Sequence, residues 1–235
     1  MLRTGRRSFL RVALLALVAM TLASRAASAQ PARPSAEAWV GAESFGRIWS
    51  LYTGTTMAPL GPLAADGVRL RAVAGYSDYR TGTVGFADLL VGYHAQLGTL
   101  TIKVFGGAML ANHDAVSPFS GLDGMGLGAK GVVETWWNVT DRIWLNTDLA
   151  YGTLHDTYMT RMRLGWRYTS QLSFGVEGGA SGSLETDIAR MGLVLRYEWA
   201  GGEVSASAGI AREGFDILWD DTTGAYATVS VLARF

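Results

Sequence analysis

The chain has 235 residues, 20 basic and 20 acidic, with 30 glycines, 5 prolines and no cysteine; 49% of residues are hydrophobic and 17% are charged. That composition excludes disulfides, thiol catalysis, thiolate metal sites and a lipid-modified N-terminal cysteine. The apolar content excludes a disordered chain, and this much glycine argues against a helical bundle.

The zero net charge hides an asymmetry. Arg3, Arg6, Arg7, Arg11 and Arg25 fall in the first 29 residues, which hold no acid, so the body carries 15 basic against 20 acidic residues. A mildly acidic body points away from nucleic acid as a partner. The head has the parts of a cleaved export signal: a positive start, an apolar run from Val12 to Ala23, and the small-residue site Ala27-Ser28-Ala29. Cleavage is expected after Ala29, leaving 206 of the 235 residues. Arg6-Arg7-Ser8-Phe9-Leu10 also fits a twin-arginine signal, but that route exports folded proteins, and the body does not suit it. Residues 30–36, with Pro31 and Pro34, read as a linker, and 37–235 as one β-barrel.

Past residue 29 no apolar run is long enough for a spanning helix. Segments of period-two alternation between turn residues appear instead, the pattern of an outer-membrane barrel. The stretch Trp39 to Met57 is too long for one strand and is expected to split near Phe45-Gly46-Arg47. Ten more strands are predicted over 67–80, 83–97, 99–113, 125–139, 142–155, 158–169, 172–183, 186–200, 203–214 and 222–235. The predicted fold is therefore all-β: a closed antiparallel transmembrane β-barrel of 12 strands, with 10 as the alternative if Trp39 to Met57 stays partly outside. An even count places both termini on the periplasmic side and the loop Asp114 to Gly124 outside.

The alternation also predicts which way side chains point. Leu164 and Leu195 belong to the lipid face and Arg163 and Arg196 to the lumen. The inward polar set is Arg69, Arg71, Asp88, Lys103, Lys130, Glu134, Asp148, Arg161, Arg163, Arg167, Glu177, Arg190, Arg196, Glu198 and Glu203. Only two lysines occur in the body, whereas a soluble sandwich would show bulk water a Lys- and Glu-rich face. So many large charged groups predict a narrow or plugged lumen. Trp136, Trp137, Trp144, Trp166, Tyr168, Phe174, Tyr197 and Trp199 cluster near three predicted turns and are expected on the outer face as one interfacial girdle. No row of aromatics is evident on the polar face. Ala225, Ala227, Val229, Val231, Ala233 and Phe235 form an apolar face ending on a terminal Phe, which looks like the terminal-strand signal of outer-membrane barrels.

Landmarks of glycine, aromatic and charged residues run in order through the body. They are Gly67 to Arg71, Gly75 to Tyr79, Asp88 to Tyr93, Gly106-Gly107 with Asn112 to Asp114, Gly128 to Gly131, Thr157-Tyr158 with Arg163 to Trp166, and Gly175 to Glu177. Their order and spacing resemble the bacterial cellulose biosynthesis protein BcsS family over roughly Glu37 to Phe235. Thr81 to Gly85 is shorter than that pattern. The resemblance implies an outer-membrane protein associated with bacterial cellulose production; with no convincing catalytic constellation in the sequence, the expectation is a non-enzymatic protein of a Gram-negative outer membrane that supports cellulose biosynthesis or secretion. The implied partners are outer-membrane lipid and cellulose or components of its synthesis machinery. It carries over no catalytic residue, metal ligand or cofactor.

Two other functions compete. His113-Asp114 with Ser117, and His155-Asp156, lie at predicted outer strand ends, where a Ser–His–acid group would make a lipid-modifying enzyme. The two His-Asp pairs also have ligands enough for a divalent cation. A general porin is the remaining alternative.

Overall fold

Strands form here because apolar and polar residues alternate over segments of ten to sixteen residues, which gives each strand one apolar and one polar face. The computed structural model describes residues 33–79, 82–115, 124–184, 187–214 and 223–235. The expected signal sequence and its cleavage site, Ser117, and most of the loop Asp114 to Gly124 lie outside the described residues.

The strands are β1 (Ala36–Phe45), β2 (Ile48–Met57), β3 (Gly67–Tyr79), β4 (Gly82–Leu97), β5 (Leu100–Ala115), β6 (Gly124–Asn138), β7 (Ile143–Gly152), β8 (Thr157–Arg167), β9 (Leu172–Gly182), β10 (Asp187–Trp199), β11 (Gly202–Glu213) and β12 (Thr223–Arg234). Each pairs antiparallel with its neighbour, and β1 pairs with β12 from Glu37↔Arg234 to Phe45↔Tyr226, closing a twelve-stranded barrel. The seam continues past the strand ends, where the amides of Ser35 and Ala36 both donate to the Phe235 carbonyl at 3.0 and 2.9 Å. Closure leaves no strand edge unpaired. The expected split of Trp39 to Met57 falls at Phe45-Gly46-Arg47, where Gly46 takes a left-handed φ of 58°. One expected strand is shorter than its alternation suggested: β7 stops at Gly152, not at 155. A 3-10 turn (Leu154–Asp156) follows, with His155 and Asp156 at φ 57° and 48°, so the chain reverses before another strand pair can form.

The register agrees with the expected facing. Leu164, Leu195, Leu193 and Leu127 stand on the outer surface, 48–74% exposed, whereas Arg163 and Arg196 are buried inside. By alternation the C-terminal face also takes the outer side, Val231 being covered there at 5% exposure, with Tyr226, Ser230, Leu232 and Arg234 turned inward between its members.

At the end carrying the termini, an outer aromatic belt forms. Trp166 meets Phe174 edge-on at 5.1 Å, and Tyr197 stacks with Trp199 at 6.3 Å. Trp136 and Trp144 are not in this belt. Both point inward, Trp144 fully buried, and they stack on each other at 4.6 Å. The reason is the register: Trp144 faces Gly165 across the β7–β8 pair, and its indole fills the space where a side chain would stand, so that a Cβ there would come within 2.1 Å of it. A second outer cluster, not anticipated, lies at the opposite end, where Trp49 meets Tyr76 at 5.5 Å and Tyr151 pairs with Tyr158. Tyr158 and Trp166 are eight residues apart on β8. At about 3.3 Å per residue and a tilt of about 40°, that separates the belts by roughly 20 Å, comparable to the ~25 Å apolar band of outer-membrane barrels.

Candidate functional site

The lumen is built from ion pairs that cross several strands. The fifteen residues expected to point inward do so, joined by Glu37 and Glu43 on β1 and Arg234 on β12. Glu177 on β9 is the hub. Only 2% exposed, it accepts from Arg163 Nε at 2.5 Å, Ser207 Oγ at 3.1 Å and Tyr226 Oη at 3.2 Å, with Arg190 Nε 3.8 Å away. Arg190 reaches on to Glu43, so this one cluster ties β8 through β12 to β1. Across the lumen, Arg71 forks onto Glu134 at 2.5 and 2.9 Å, and Lys130 meets Asp88 at 2.5 Å. Arg161 takes Asp148 through two nitrogens at 2.9 and 2.6 Å. Arginine predominates because its planar fork satisfies a carboxylate bidentately where water is scarce. Unpaired charges at such depth would be costly.

These pairs fill the lumen at mid-height. Beyond them, away from the termini, Phe45, Ile48, Ala211 and Tyr226 form an apolar cluster with Ile188 against it. On the other side, towards the termini, the lumen opens into a cup of about 460 Å³. That falls in the range of roughly 300–1,000 Å³ usual for small-molecule sites. Its lining holds seven basic and five acidic side chains and the aromatics Trp39, Tyr52, Trp136 and Trp144.

Inward aromatics are therefore present, where no row of them is evident from the sequence. All but Trp136 lie where glycine faces them across a strand pair: Trp39 opposite Gly54, Tyr52 opposite Gly41, Trp144 opposite Gly165, and Phe86 and Phe105, higher in the lumen, opposite Gly75 and Gly92. A Cβ at Gly54 would fall 2.3 Å from the Trp39 indole, and one at Gly41 2.3 Å from the Tyr52 ring. Each ring lies over bare backbone, an arrangement that also stiffens glycine-containing barrel strands. The signal was in the sequence, since Trp144 shares parity with Asn146 and Asp148. Reading it required knowing which glycine each aromatic faced.

At the mouth of the cup, Trp136 Nε1 donates to Asn138 Oδ1 at 3.1 Å, and Arg167 Nη2 donates to the same oxygen at 2.6 Å. Arg196 lies over Trp136 at 4.4 Å and also pairs with Glu198 and Glu203, while its buried Nε finds no hydrogen-bond partner among the described residues. Arg69 stands apart. It anchors the β2–β3 connection through the carbonyls of Leu63 and Ala65 and donates to His94 Nδ1 at 2.8 Å.

The histidine candidates do meet at the far rim: the His113 and His155 rings pack edge-to-face at 4.6 Å. The acid expected to serve one of them is engaged elsewhere, Asp156 accepting from Tyr151 Oη at 2.6 Å. Among the described residues no three His, Asp or Glu side chains converge as a metal site.

The family model for the cellulose biosynthesis protein BcsS matches residues 37–235. The chain belongs to the BcsS family. The barrel is also similar in fold to solved porins. The KdgM porin matches with a TM-score of 0.53 and 10% identity, over 85% of this chain and 99% of that one. The NanC porin matches with a TM-score of 0.50 and 10% identity, over 86% of this BcsS-family chain and all of the porin. At such identity the likeness concerns the fold. No curated protein sequence matches the chain.

Proposed function

We propose that this BcsS-family barrel sits in the outer membrane and serves cellulose production on the export side, without catalysing a reaction. The observation that carries the reading is the pairing of family membership with a closed barrel that is apolar outside and polar within. Leucines such as Leu193 and Leu195, more than half exposed over mid-barrel, are stable only against lipid. In this reading residues 1–29 are a cleaved export signal and 37–235 insert as the barrel. The chain termini and the cup face the periplasm, the side from which a newly made glucan arrives. A general porin is the weaker reading, because ion pairs and the Phe45–Tyr226 cluster occupy the lumen above the cup. A rim enzyme is weaker too, because the Asp156 carboxylate serves Tyr151.

The reading predicts a heat-modifiable protein in the Sarkosyl-insoluble outer-membrane fraction. It also predicts that deleting the gene lowers secreted cellulose relative to the glucan retained by the cell. A soluble periplasmic protein, or an unchanged ratio of secreted to retained cellulose, would contradict it.

A further inference from the structure

Deepening that reading and resting on it, we propose that the luminal cup is a binding site for a neutral β-glucan segment, held against the Trp39–Tyr52 wall. Three observations converge on a sugar. The first is the aromatic surface. Trp39 and Tyr52 lie on adjacent strands, each ring seated on the glycine opposite it, and both line the cup. A ring backed by bare backbone has its other face left for the lumen; at Trp39 the Arg71 guanidinium also lies over the ring, 5.3 Å from its centroid, so the C–H face of a pyranose would pack against the part of the indole that Arg71 leaves open. Trp136, on β6, adds a further aromatic to the lining.

The second observation is the polar surface. Guanidinium and carboxylate groups are held in fixed pairs around the cup: Arg71 with Glu134, Arg161 with Asp148, and Arg196 with Glu203. Such pairs offer donors and acceptors side by side, and a hydroxyl, being both donor and acceptor, bonds to either. Arg196 Nε is buried at the lining with no hydrogen-bond partner among the described residues, a donor that a ligand hydroxyl would satisfy.

The third is charge. The lining carries seven basic and five acidic groups. Glu177, bonded to Arg163 just behind the lining, brings the excess of positive charge down to one. A cup whose charges are so nearly balanced from within favours a neutral polyol over a polyanion. Its filled upper end makes it a receptor for a chain segment presented from the terminal side.

The test uses the whole barrel folded in detergent, its folding checked by heat-modifiable migration, and titrates it calorimetrically with cellohexaose. The wild type should bind. Trp39→Ala should weaken binding by roughly tenfold, the loss expected when a central aromatic is truncated. Trp137→Ala, next to Trp136 but on the outer surface, should leave binding unchanged. Should Trp39→Ala fail to fold, Tyr52→Ala reads the same wall and should weaken binding likewise. Failure of the wild type to bind, equal loss in Trp137→Ala, or tighter binding of a hexamer of galacturonate than of cellohexaose would each overturn the proposal. The two claims fail separately. Absent binding with a cellulose defect in the deletion strain removes the glucan site alone, whereas binding with normal secretion removes the export role.

Discussion

Leu195→Arg should severely impair assembly of the barrel, whereas Arg196→Leu should impair it less. The two residues are neighbours on β10 with opposite fates: Leu195 is 53% exposed on the outer surface, Arg196 only 7% exposed inside. An arginine at a lipid-facing midplane position costs about 2–4 kcal/mol. Removing Arg196 also has a cost, since Glu198 and Glu203 lose their cation. Those two acids are part-buried in a lumen where Arg234 already reaches Glu203 at 3.4 Å and can take over part of the pairing. Folded yield in outer membranes, read as the heat-modifiable fraction, checks the order. A one-residue shift of register exchanges every inward and outward side chain, so the reverse order would mean that the assigned facing of β10 is wrong.

Glu177→Gln should be the most destabilising conservative change inside the lumen. Its carboxylate is bonded to Arg163, Ser207 and Tyr226, with Arg190 close by. Neutralising it leaves the buried Arg163 guanidinium without its carboxylate, while Arg190 keeps Glu43, and breaking one partner of a buried pair costs about 3–5 kcal/mol. The midpoint of thermal unfolding in detergent should fall sharply. Glu177→Leu combined with Arg163→Met removes both charges of the closest pair and should recover much of that loss, because a fully apolar replacement leaves no charge uncompensated. If Glu177→Gln unfolded at the wild-type temperature, the ion-pair layer would not be what holds β8 to β12 together.

The barrel, its strand number and its facing were legible in the sequence because each depends on short-range alternation. Arg196 and Glu198 share one parity of β10, and Leu193, Leu195 and Tyr197 share the other. The break at Gly46 was marked by glycine itself. The cup was not legible. Trp136 and Trp144 sit beside Trp137 and near Trp166, and proximity to a turn suggested one belt for all of them. Which wall each joins depends on strand register, a long-range property: Trp144 is inside because Gly165, twenty-one positions on, faces it. Glu37 and Glu43 were missed for a related reason. Their partners Lys103 and Arg190 come from strands far along the chain, so no local pattern announces the pairing. The end of β7 was misjudged because Thr153 to His155 keep a strand-like composition while the backbone has already turned at His155.

On the proposed reading this protein handles glucan after it is made and does not make it. Polymerisation needs a site for a nucleotide sugar, and Gly41, Gly54, Gly75, Gly92 and Gly165 each lie inside a strand beneath an aromatic ring, not in a phosphate-cradling loop opening a helix. The most direct measurement is the rate of glucan synthesis in inner-membrane vesicles prepared from cells with and without the gene, at equal amounts of synthase. The rate should be the same in both. A collapse of synthesis in the deletion vesicles, with the synthase still present, would show the protein acting on catalysis and would contradict the export-side account.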